Sequence, residues 1–370
     1  MHRADIQEFA VKENRLFEFM EKHGFEAVVI GTQANFSWLS CGGDSRVLIT
    51  GEVGEAILVI TKQRRYCIVN TMDAQRIMTQ ELKGLGFEPV VLKWFEMSRE
   101  EYAQTLIKGK RALSDIPVDG AETNPQRFYE LHYPMTDQEI SRYRKLGKDA
   151  EQVLFDVANR IKPGVTTGSD VETMLFCEFA KVKAIVTCMI IGVDEEIAAW
   201  RHPIAWKKTI SKACMLVLAV RREGLNLPIT RMVYFEDVPA DIEKRFDAVC
   251  TIAAETIAAC KPGTRFAELS AMQKKLYGKL GYQNEWEIHY CGGITGYTVN
   301  DSSLCKDKEA VLVDGQTFNW YITISGVNTE DTIIIRQSGF EQFTVNGIWP
   351  TREYSVQGQK VSIPAILVRQ

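Results

Sequence analysis

The stretch from Trp286 to Asp331 carries residue types that could do acid–base chemistry. His289 stands at the start of a glycine-rich turn, and Glu330 stands at the head of the β-branched run 332–335. Glycines let the backbone approach a ligand, and β-branched runs form rigid strands that hold side chains in place. A hairpin of the runs 317–325 and 329–335 would bring the imidazole and the carboxylate together. The alternative is that His289 only satisfies a backbone acceptor in a turn.

A second histidine shares this pattern. The chain has five histidines, and His202 and His289 are the two in its C-terminal half. Because Pro203 follows it, His202 is expected to be extended, with its ring projecting from a loop. A capped loop histidine with a structural role is the alternative. Each of the two histidines follows one copy of a repeated segment, so we interpret them as a pair.

The repeated segment is a helix that ends in Lys-Pro-Gly. The motif occurs at 162–164 and again 99 residues later at 261–263, each time followed within two residues by a threonine and then by a second amphipathic helix. Two matching contexts predict an internal duplication, which forms a pseudo-two-fold domain with a cleft between its halves. The alternative is that Pro-Gly after a basic helix end is common helix-capping chemistry. The predicted helices are 136–161, 168–183, 241–260 and 265–280, and the predicted strands that follow them include 184–192 and 214–220.

The N-terminal part has the pattern of an α/β unit with a mixed sheet. Turn residues and prolines between 120 and 136 predict a boundary, which gives an N-terminal α/β domain over 1–130 and a second domain over 136–370. The aromatic segment 35–43 is interpreted as a turn. The predicted helices are 4–23, 72–85 and 99–107, and the predicted strands are 27–30, 46–50, 56–61, 65–70 and 88–92.

Composition limits the classes of protein that this chain can represent. A length of 370 residues suits two domains, and 45% hydrophobic with 25% charged residues is typical of a globular protein. The net charge of −4 gives no bulk attraction for nucleic acid or an anionic membrane, so neither is expected as a partner. Nine scattered cysteines without a Cys-x-x-Cys pair argue against a disulfide framework and a zinc ribbon.

The N-terminal segment is charged and amphipathic, and it has no continuous apolar run of a secretory signal. No later run approaches the length that spans a membrane. We therefore expect a cytoplasmic protein.

Several motifs together resemble the pita-bread family that contains creatinase, aminopeptidase P and prolidase. The resemblance covers nearly the whole chain and implies an α/β (α+β) protein, with a creatinase-like N-terminal α/β domain, a C-terminal pseudo-two-fold pita-bread domain and a homodimer. The matching positions are the segment Asn35–Gly42 with Trp38 in the aromatic place, the two Lys-Pro-Gly helix ends, His202 as the first catalytic histidine, Thr230-Arg231, and Gly326–Asp331.

The sequence departs from this family at the positions of its metal ligands. Metal-dependent members hold two divalent ions with two Asp, one His and two Glu. The resemblance places these ligands at Val217, Pro228, Gly293, either Asn319 or Tyr321, and Glu330, so that Glu330 alone is retained. One carboxylate cannot offset the charge and lost hydration of two dications. We therefore expect no metal ligands and no cofactor, with a single ion at His289 and Glu285 or Glu287 as the alternative.

Creatinase works without metal, and the resemblance implies the same roles here. His202 is the expected acid and base, Glu330 anchors a cationic or amide N–H group and can carry a proton, and His289 polarises a carbonyl. Arg231 is expected to pair with Glu330, or alternatively with a substrate carboxylate. The other expected substrate contacts are Tyr321, Asn300, which takes the place of a family histidine, and Arg46, which could reach a neighbouring subunit.

These observations favour a metal-independent hydrolase or lyase that cleaves a C–N bond in a small polar molecule. A metal-dependent Xaa-Pro dipeptidase or aminopeptidase is one alternative. A protein that binds a small molecule or peptide without catalysis is the other. The expected partners are a small-molecule or short-peptide substrate and a second copy of the chain.

Overall fold

The computed structural model describes residues 5–204, 207–299 and 309–369. The described chain forms two compact units. The first comprises the residues up to Glu139 together with Glu223–Leu225, and the second comprises Ile140–Arg222 and the residues from Asn226 onward. None of the helices in these ranges combines the length and apolar character that a bilayer crossing requires.

The first unit is a six-stranded mixed sheet with helices. Its strand order is β4-β3-β2-β1-β5-β6, in which β1–β2 and β2–β3 are antiparallel and the other pairs are parallel. Apolar side chains of β1, β2, β3 and α4 form its core. The elements in chain order are α1 (Ile6–His23), β1 (Ala27–Thr32), α2 (Gln33–Leu39), β2 (Val53–Thr61), β3 (Arg65–Asn70), α3 (Ala74–Arg76), a π-helical turn (Ile77–Glu81), β4 (Glu88–Leu92), α4 (Arg99–Ile107), β5 (Ala112–Ser114), β6 (Ala121–Thr123) and a 3-10 helix (Pro125–His132).

Three local predictions for this unit were wrong. Residues 35–39 of the segment predicted as an aromatic turn lie in helix α2. The Thr32 side chain accepts from the Asn35 amide and caps this helix, and Phe36 and Trp38 are buried. The predicted strand 46–50 is a loop, in which the Gly51 amide closes a turn on the Leu48 carbonyl. The predicted helix 72–85 is reduced to α3 and the π-helical turn.

The second unit is built around an eight-stranded sheet. Its elements are α5 (Asp137–Arg160), α6 (Gly168–Lys181), β7 (Ile185–Val193), α7 (Glu196–Ala199), β8 (Ala213–Arg222), β9 (Leu225–Tyr234), α8 (Ala240–Ala259), α9 (Phe266–Lys279), α10 (Glu285–Ile288), β10 (Gly292–Ile294), β11 (Thr317–Ile324), β12 (Val327–Arg336), β13 (Gly339–Gln342), β14 (Thr351–Val356), β15 (Gln359–Pro364) and β16 (Leu367–Val368).

Strand order shows that this sheet is a doubled structure. The order β10-β11-β12-β9-β8-β7 places one hairpin, β8–β9, beside another, β11–β12, and the two meet as antiparallel neighbours where Glu330 lies opposite Thr230. β13 adds to β12, and β16 adds to β9. The centre of the sheet is therefore the line where the two halves join.

The two Lys-Pro-Gly segments make the same hydrogen bonds in each half. Gly164 and Gly263 both adopt positive φ, at 75° and 90°, in the turn that follows the end of each helix. Each segment then pairs with a strand-like stretch that lies 40 to 49 residues further along. The matched amide-to-carbonyl bonds are Gly164 to Ile210 and Gly263 to Leu312, Ile210 to Thr166 and Leu312 to Thr264, and Gly168 to Lys208 and Phe266 to Ala310. This equivalence supports the internal duplication.

Candidate functional site

A pocket with a cavity volume of about 140 Å³ lies within the second unit, beside the line where its two halves join. His202, His289, Tyr321 and Glu330, which the sequence singles out, all line it. His202 lies on a bend after α7, and His289 follows α10, so each half contributes one histidine. Glu330 comes from β12 in the centre of the sheet. The fold thus gathers two imidazoles and one carboxyl group from separate parts of the chain.

Glu330 lies at the buried end of this pocket with its side chain held on both oxygens. The Thr230 hydroxyl donates to Oε2 and the Asn319 amide donates to Oε1, each over 2.5 Å. Both donors are neutral, so they do not compensate a negative charge. Burial raises the pKa of Glu330 to about 7, against the lowering effect of these two bonds. A carboxyl group with this pKa can exchange a proton near neutral pH.

The two histidines are in direct contact. Their Nε2 atoms are 3.2 Å apart, and His289 Nδ1 lies 2.7 Å from the backbone carbonyl of Tyr290. Desolvation lowers the pKa of His289, which favours its neutral form. The structure therefore presents a hydrogen-bonded pair of imidazoles rather than two independent rings.

Aromatic rings surround His289. The Tyr290 ring stacks on it with centroids 4.9 Å apart, and the Tyr321 ring meets it edge-on at 5.2 Å. Tyr290 and Tyr321 also contact each other at 5.2 Å. Tyr321 thus lines the pocket, and its ring helps to fix the orientation of His289. Its role as a substrate contact stays a prediction.

The wall of the pocket is apolar at two positions that the family resemblance assigns to metal-binding aspartates. Val217 on β8 and Pro228 on β9 both line it. Asn319, at one possible place of the first glutamate ligand, donates its amide to Glu330. Within the described ranges, no three or more His, Cys, Asp and Glu side chains are grouped so that they could hold a metal ion. The donor set around this pocket does not fit a dinuclear metal centre.

The alternative of a single ion at His289 assumed that Glu285 and Glu287 share a strand face with it. The prediction of a strand here was wrong. Residues 285–288 form helix α10. The Glu285 carboxylate binds Arg201 and Ser325, and Glu287 extends toward Lys274 at 3.9 Å. The helical backbone therefore directs the two carboxylates to other partners.

Three other predicted substrate contacts have different outcomes. Arg231 is fully buried and binds Asp331 over 3.2 Å and the Thr344 carbonyl, so the prediction that it pairs with the Glu330 side chain was wrong. Arg46 belongs to the first unit, where it pairs with Asp44, and its reach to a neighbouring subunit stays a prediction. Asn300 lies outside the described residues, and its role stays a prediction.

Sequence reasoning missed three residues that line the pocket. Arg201, next to His202, holds Glu285 and brings a positive charge to the histidine side. Cys188 lies on β7, where desolvation and the Glu330 charge raise the pKa of its thiol. Asn328 lies on β12, two residues after Gly326. The position of Arg201 beside His202 was a usable signal, whereas Cys188 and Asn328 have no local pattern that marks them.

The family model described as Metallopeptidase family M24 matches residues 141–337, which is more than half of the chain. The chain belongs to metallopeptidase family M24. A Xaa-Pro dipeptidase of Pyrococcus horikoshii is 24% identical to this M24 protein over 364 residues, covering 92% of this chain and 98% of the relative. This membership confirms the predicted family and the expectation of a peptidase-family hydrolase.

Solved structures of low identity show the fold. A Xaa-Pro dipeptidase from Bacillus anthracis has a TM-score of 0.75 at 17% identity and covers 97% of this chain and 99% of its own. The N-terminal domain of the FACT complex subunit SPT16 from Cicer arietinum has a TM-score of 0.69 at 13% identity, with 93% and 97% covered. The predicted α/β fold with a pita-bread domain is confirmed. The fold occurs both in a named peptidase and in a named complex subunit, so the fold alone does not assign an activity.

Proposed function

We propose that this M24 protein is a hydrolase that cleaves a C–N bond of a small polar substrate without a dinuclear metal centre. The observation that carries the proposal is one pocket that joins the His202–His289 pair to Glu330 while Val217 and Pro228 form its wall. Methyl groups and a proline ring offer no ligand to a dication. Imidazoles and a carboxyl group of raised pKa can instead move protons near neutral pH.

Hydrogen-bond acceptors at the inner end of the pocket would orient the substrate. Glu330 accepts from Thr230 and Asn319, and Asn319 Oδ1 has no hydrogen-bond partner within the described residues although it is buried. A buried acceptor without a partner costs free energy, so a ligand that donates an N–H group to it is favoured. We infer that an amide, ureido or cationic nitrogen of the substrate faces Glu330 and Asn319, with Tyr321 against its apolar part.

His202 would carry the proton through the reaction. It takes a proton from a water molecule as the water oxygen bonds to the carbon of the C–N bond, and it returns that proton to the nitrogen as the bond breaks. The products gain the elements of water and His202 ends as it began. Glu330 holds the substrate N–H group during both steps, and general acid–base catalysis of this kind contributes about 10²–10⁴-fold.

Metal analysis combined with an activity screen tests this proposal. Protein purified without a chelating tag is measured for metal by elemental analysis and assayed on small amide, ureido and guanidino compounds with and without added manganese. We expect much less than one metal per chain and cleavage that manganese does not change. Stoichiometric metal, or activity that requires manganese, would overturn the proposal.

A metal-dependent Xaa-Pro dipeptidase is the second candidate, and the name of the Pyrococcus horikoshii relative favours it. This activity would require metal ligands other than the described residues that line the pocket. Gly-Pro and Ala-Pro hydrolysis separates the candidates, because manganese-stimulated release of proline supports the dipeptidase and its absence supports the metal-independent hydrolase.

A binding protein without catalysis is the third candidate, and the likeness to a complex subunit favours it. His202→Ala and Glu330→Gln separate binding from catalysis. If both variants hold a ligand as well as the wild type and the wild type releases no product from it, the binding function is supported.

We also propose that the protein is a homodimer and works in the cytoplasm. The resemblance to the pita-bread family supports the dimer, and the cysteine pattern supports a reducing compartment, since the eight cysteines in the described ranges are free thiols. Light scattering of the purified protein would show twice the 41.9 kDa chain mass if the dimer forms. Fractionation of the source cells tests the location.

A further inference from the structure

The contact between His289 and the Tyr290 carbonyl fixes where His289 carries its hydrogen. A carbonyl oxygen can only accept, so the 2.7 Å contact requires that Nδ1 of His289 donates. In the neutral ring the other nitrogen, Nε2, then has a lone pair and no hydrogen. Stacking on Tyr290 and the edge contact with Tyr321 hold the ring in this orientation.

This arrangement determines the hydrogen on His202 as well. Its Nε2 lies 3.2 Å from His289 Nε2, and two lone pairs at this distance would repel. His202 Nε2 must therefore carry the hydrogen and donate it to His289. The lone pair of neutral His202 is then on Nδ1.

We propose that His289 is a positioning residue, which holds His202 as the Nε2–H tautomer so that Nδ1 of His202 is the atom that takes up and returns the proton. When Nδ1 takes the proton, the hydrogen bond from Nε2 to His289 becomes charge-assisted and stabilises the imidazolium. His289 keeps its own Nδ1 hydrogen throughout. The role of Nδ1 in catalysis rests on the proposed function, whereas the two tautomers do not.

The groups around the pair support a neutral His289. Burial lowers its pKa, and the positive charges of Arg201 and of protonated His202 act in the same direction, against the Tyr290 carbonyl. Arg201 is itself paired with Glu285. The neutral His289 ring therefore keeps the Nε2 lone pair that accepts from His202.

Nitrogen NMR of histidine-labelled protein tests the tautomers without any substrate. The spectra are recorded near pH 8, above the ordinary histidine pKa of about 6.5. We expect His289 as Nδ1–H and His202 as Nε2–H. His132 is an internal reference, because its Nε2 lies 2.8 Å from Asn35 Oδ1 and its lowered pKa of about 3 keeps it neutral. An Nε2–H signal for His289, or an Nδ1–H signal for His202, would overturn the proposal.

Two substitutions of His289 separate positioning from a general structural role. The amide of His289→Gln reaches the place of Nε2 and can accept from His202, whereas His289→Asn reaches only the place of Nδ1. We expect His202 to keep a single tautomer in His289→Gln and to populate both in His289→Asn. A single Nε2–H tautomer of His202 in folded His289→Asn would show that His289 is not needed.

Kinetics on a cleaved substrate completes the test. His289→Asn should lower kcat by about 10- to 100-fold with KM nearly unchanged, because the imidazolium of His202 loses its charge-assisted hydrogen bond. His289→Gln should recover most of the loss. Equal loss in both variants would contradict the positioning role. Correct tautomers together with no cleavage by the wild type would remove the proposed function and leave the tautomer assignment intact.

Discussion

At the scale of single residues, the chemistry of the site depends on Glu330 being buried without a positive partner. Its nearest guanidinium, Arg231, is turned to Asp331 and to backbone carbonyls, and the direct partners of Glu330 are a hydroxyl and an amide. Neutral donors lower a carboxyl pKa less than burial raises it here, so the pKa is about 7. The fold therefore loses stability by holding this group ionised.

Glu330→Gln should change how stability depends on pH. The folded state keeps the Glu330 proton up to about pH 7, while the unfolded state loses it near 4.5, so wild-type stability should fall between these values and then level. The difference corresponds to about 3 kcal/mol. Urea unfolding from pH 4.5 to 8 should show that Glu330→Gln lacks this part of the decline. The slope from Asp331, whose pKa is raised to about 6, remains in both proteins. Parallel stability profiles would refute the burial argument.

His202→Ala should abolish activity without unfolding the protein. The side chain lies on an exposed bend, so its removal leaves no cavity in the core, while the acid and base of the reaction is lost. We expect a fall in kcat of about 10²–10⁴-fold, measured by product release. His23→Ala is the matched control, since that histidine pairs with Glu130 in the first unit and should leave kcat unchanged. A similar kcat for His202→Ala and the wild type would exclude the proposed role.

At the scale of elements, strands β10 and β11 hold the pocket in shape through a close backbone approach. Gly292 has a φ of 137°, and a Cβ there would lie 2.3 Å from the Asn319 carbonyl oxygen and 2.7 Å from Trp320. No side chain fits this space. The glycine-rich turn after His289 is therefore required by the pairing that places Asn319 against Glu330, which is a structural reason for a motif that first suggested a ligand.

Gly292→Ala should displace β11 and weaken both stability and activity. Overpacking against backbone costs about 1–3 kcal/mol, and positive φ adds about 1–2 kcal/mol. Gly278→Ala in α9 is the control, because its Cβ would meet nothing closer than 4.0 Å and alanine favours a helix by about 0.5–1 kcal/mol. Thermal unfolding should move down for the first variant and up for the second. Equal stability of the two variants would contradict the close approach.

At the scale of the whole molecule, this M24 protein has a duplicated scaffold. In its central pocket, Val217 and Pro228 stand where the family resemblance places metal-binding aspartates. The sheet order and the matched Lys-Pro-Gly bonds are properties of the backbone, and they do not depend on Val217 or Pro228. A ligand that binds only the folded state stabilises it by mass action. Because the described residues that line this pocket do not fit two divalent ions, metal should contribute nothing to folding.

Added manganese or a chelator should therefore leave the unfolding temperature unchanged. A metal present at 100 times its dissociation constant would stabilise the fold by about 2.7 kcal/mol, which is easily measured. Thermal unfolding with manganese, with EDTA, and with sodium chloride at equal ionic strength is the experiment. A rise of several degrees with manganese alone would show a bound metal and would contradict the donor set described for the pocket.

Sequence alone determined the fold class and the duplication, because apolar runs, repeated helix-ending motifs and the family resemblance are all read along the chain. It also singled out His202 and Glu330, which line one pocket, and their catalytic roles stay a prediction. The tertiary structure decided the partners of charged groups. Arg231 pairs with Asp331, and Glu285 pairs with Arg201. His202 and His289 are in contact through their Nε2 atoms. These outcomes depend on how strands β9 and β12 and helix α10 pack, since residues 84 to 100 positions apart reach hydrogen-bond distance only through packing that no local pattern encodes.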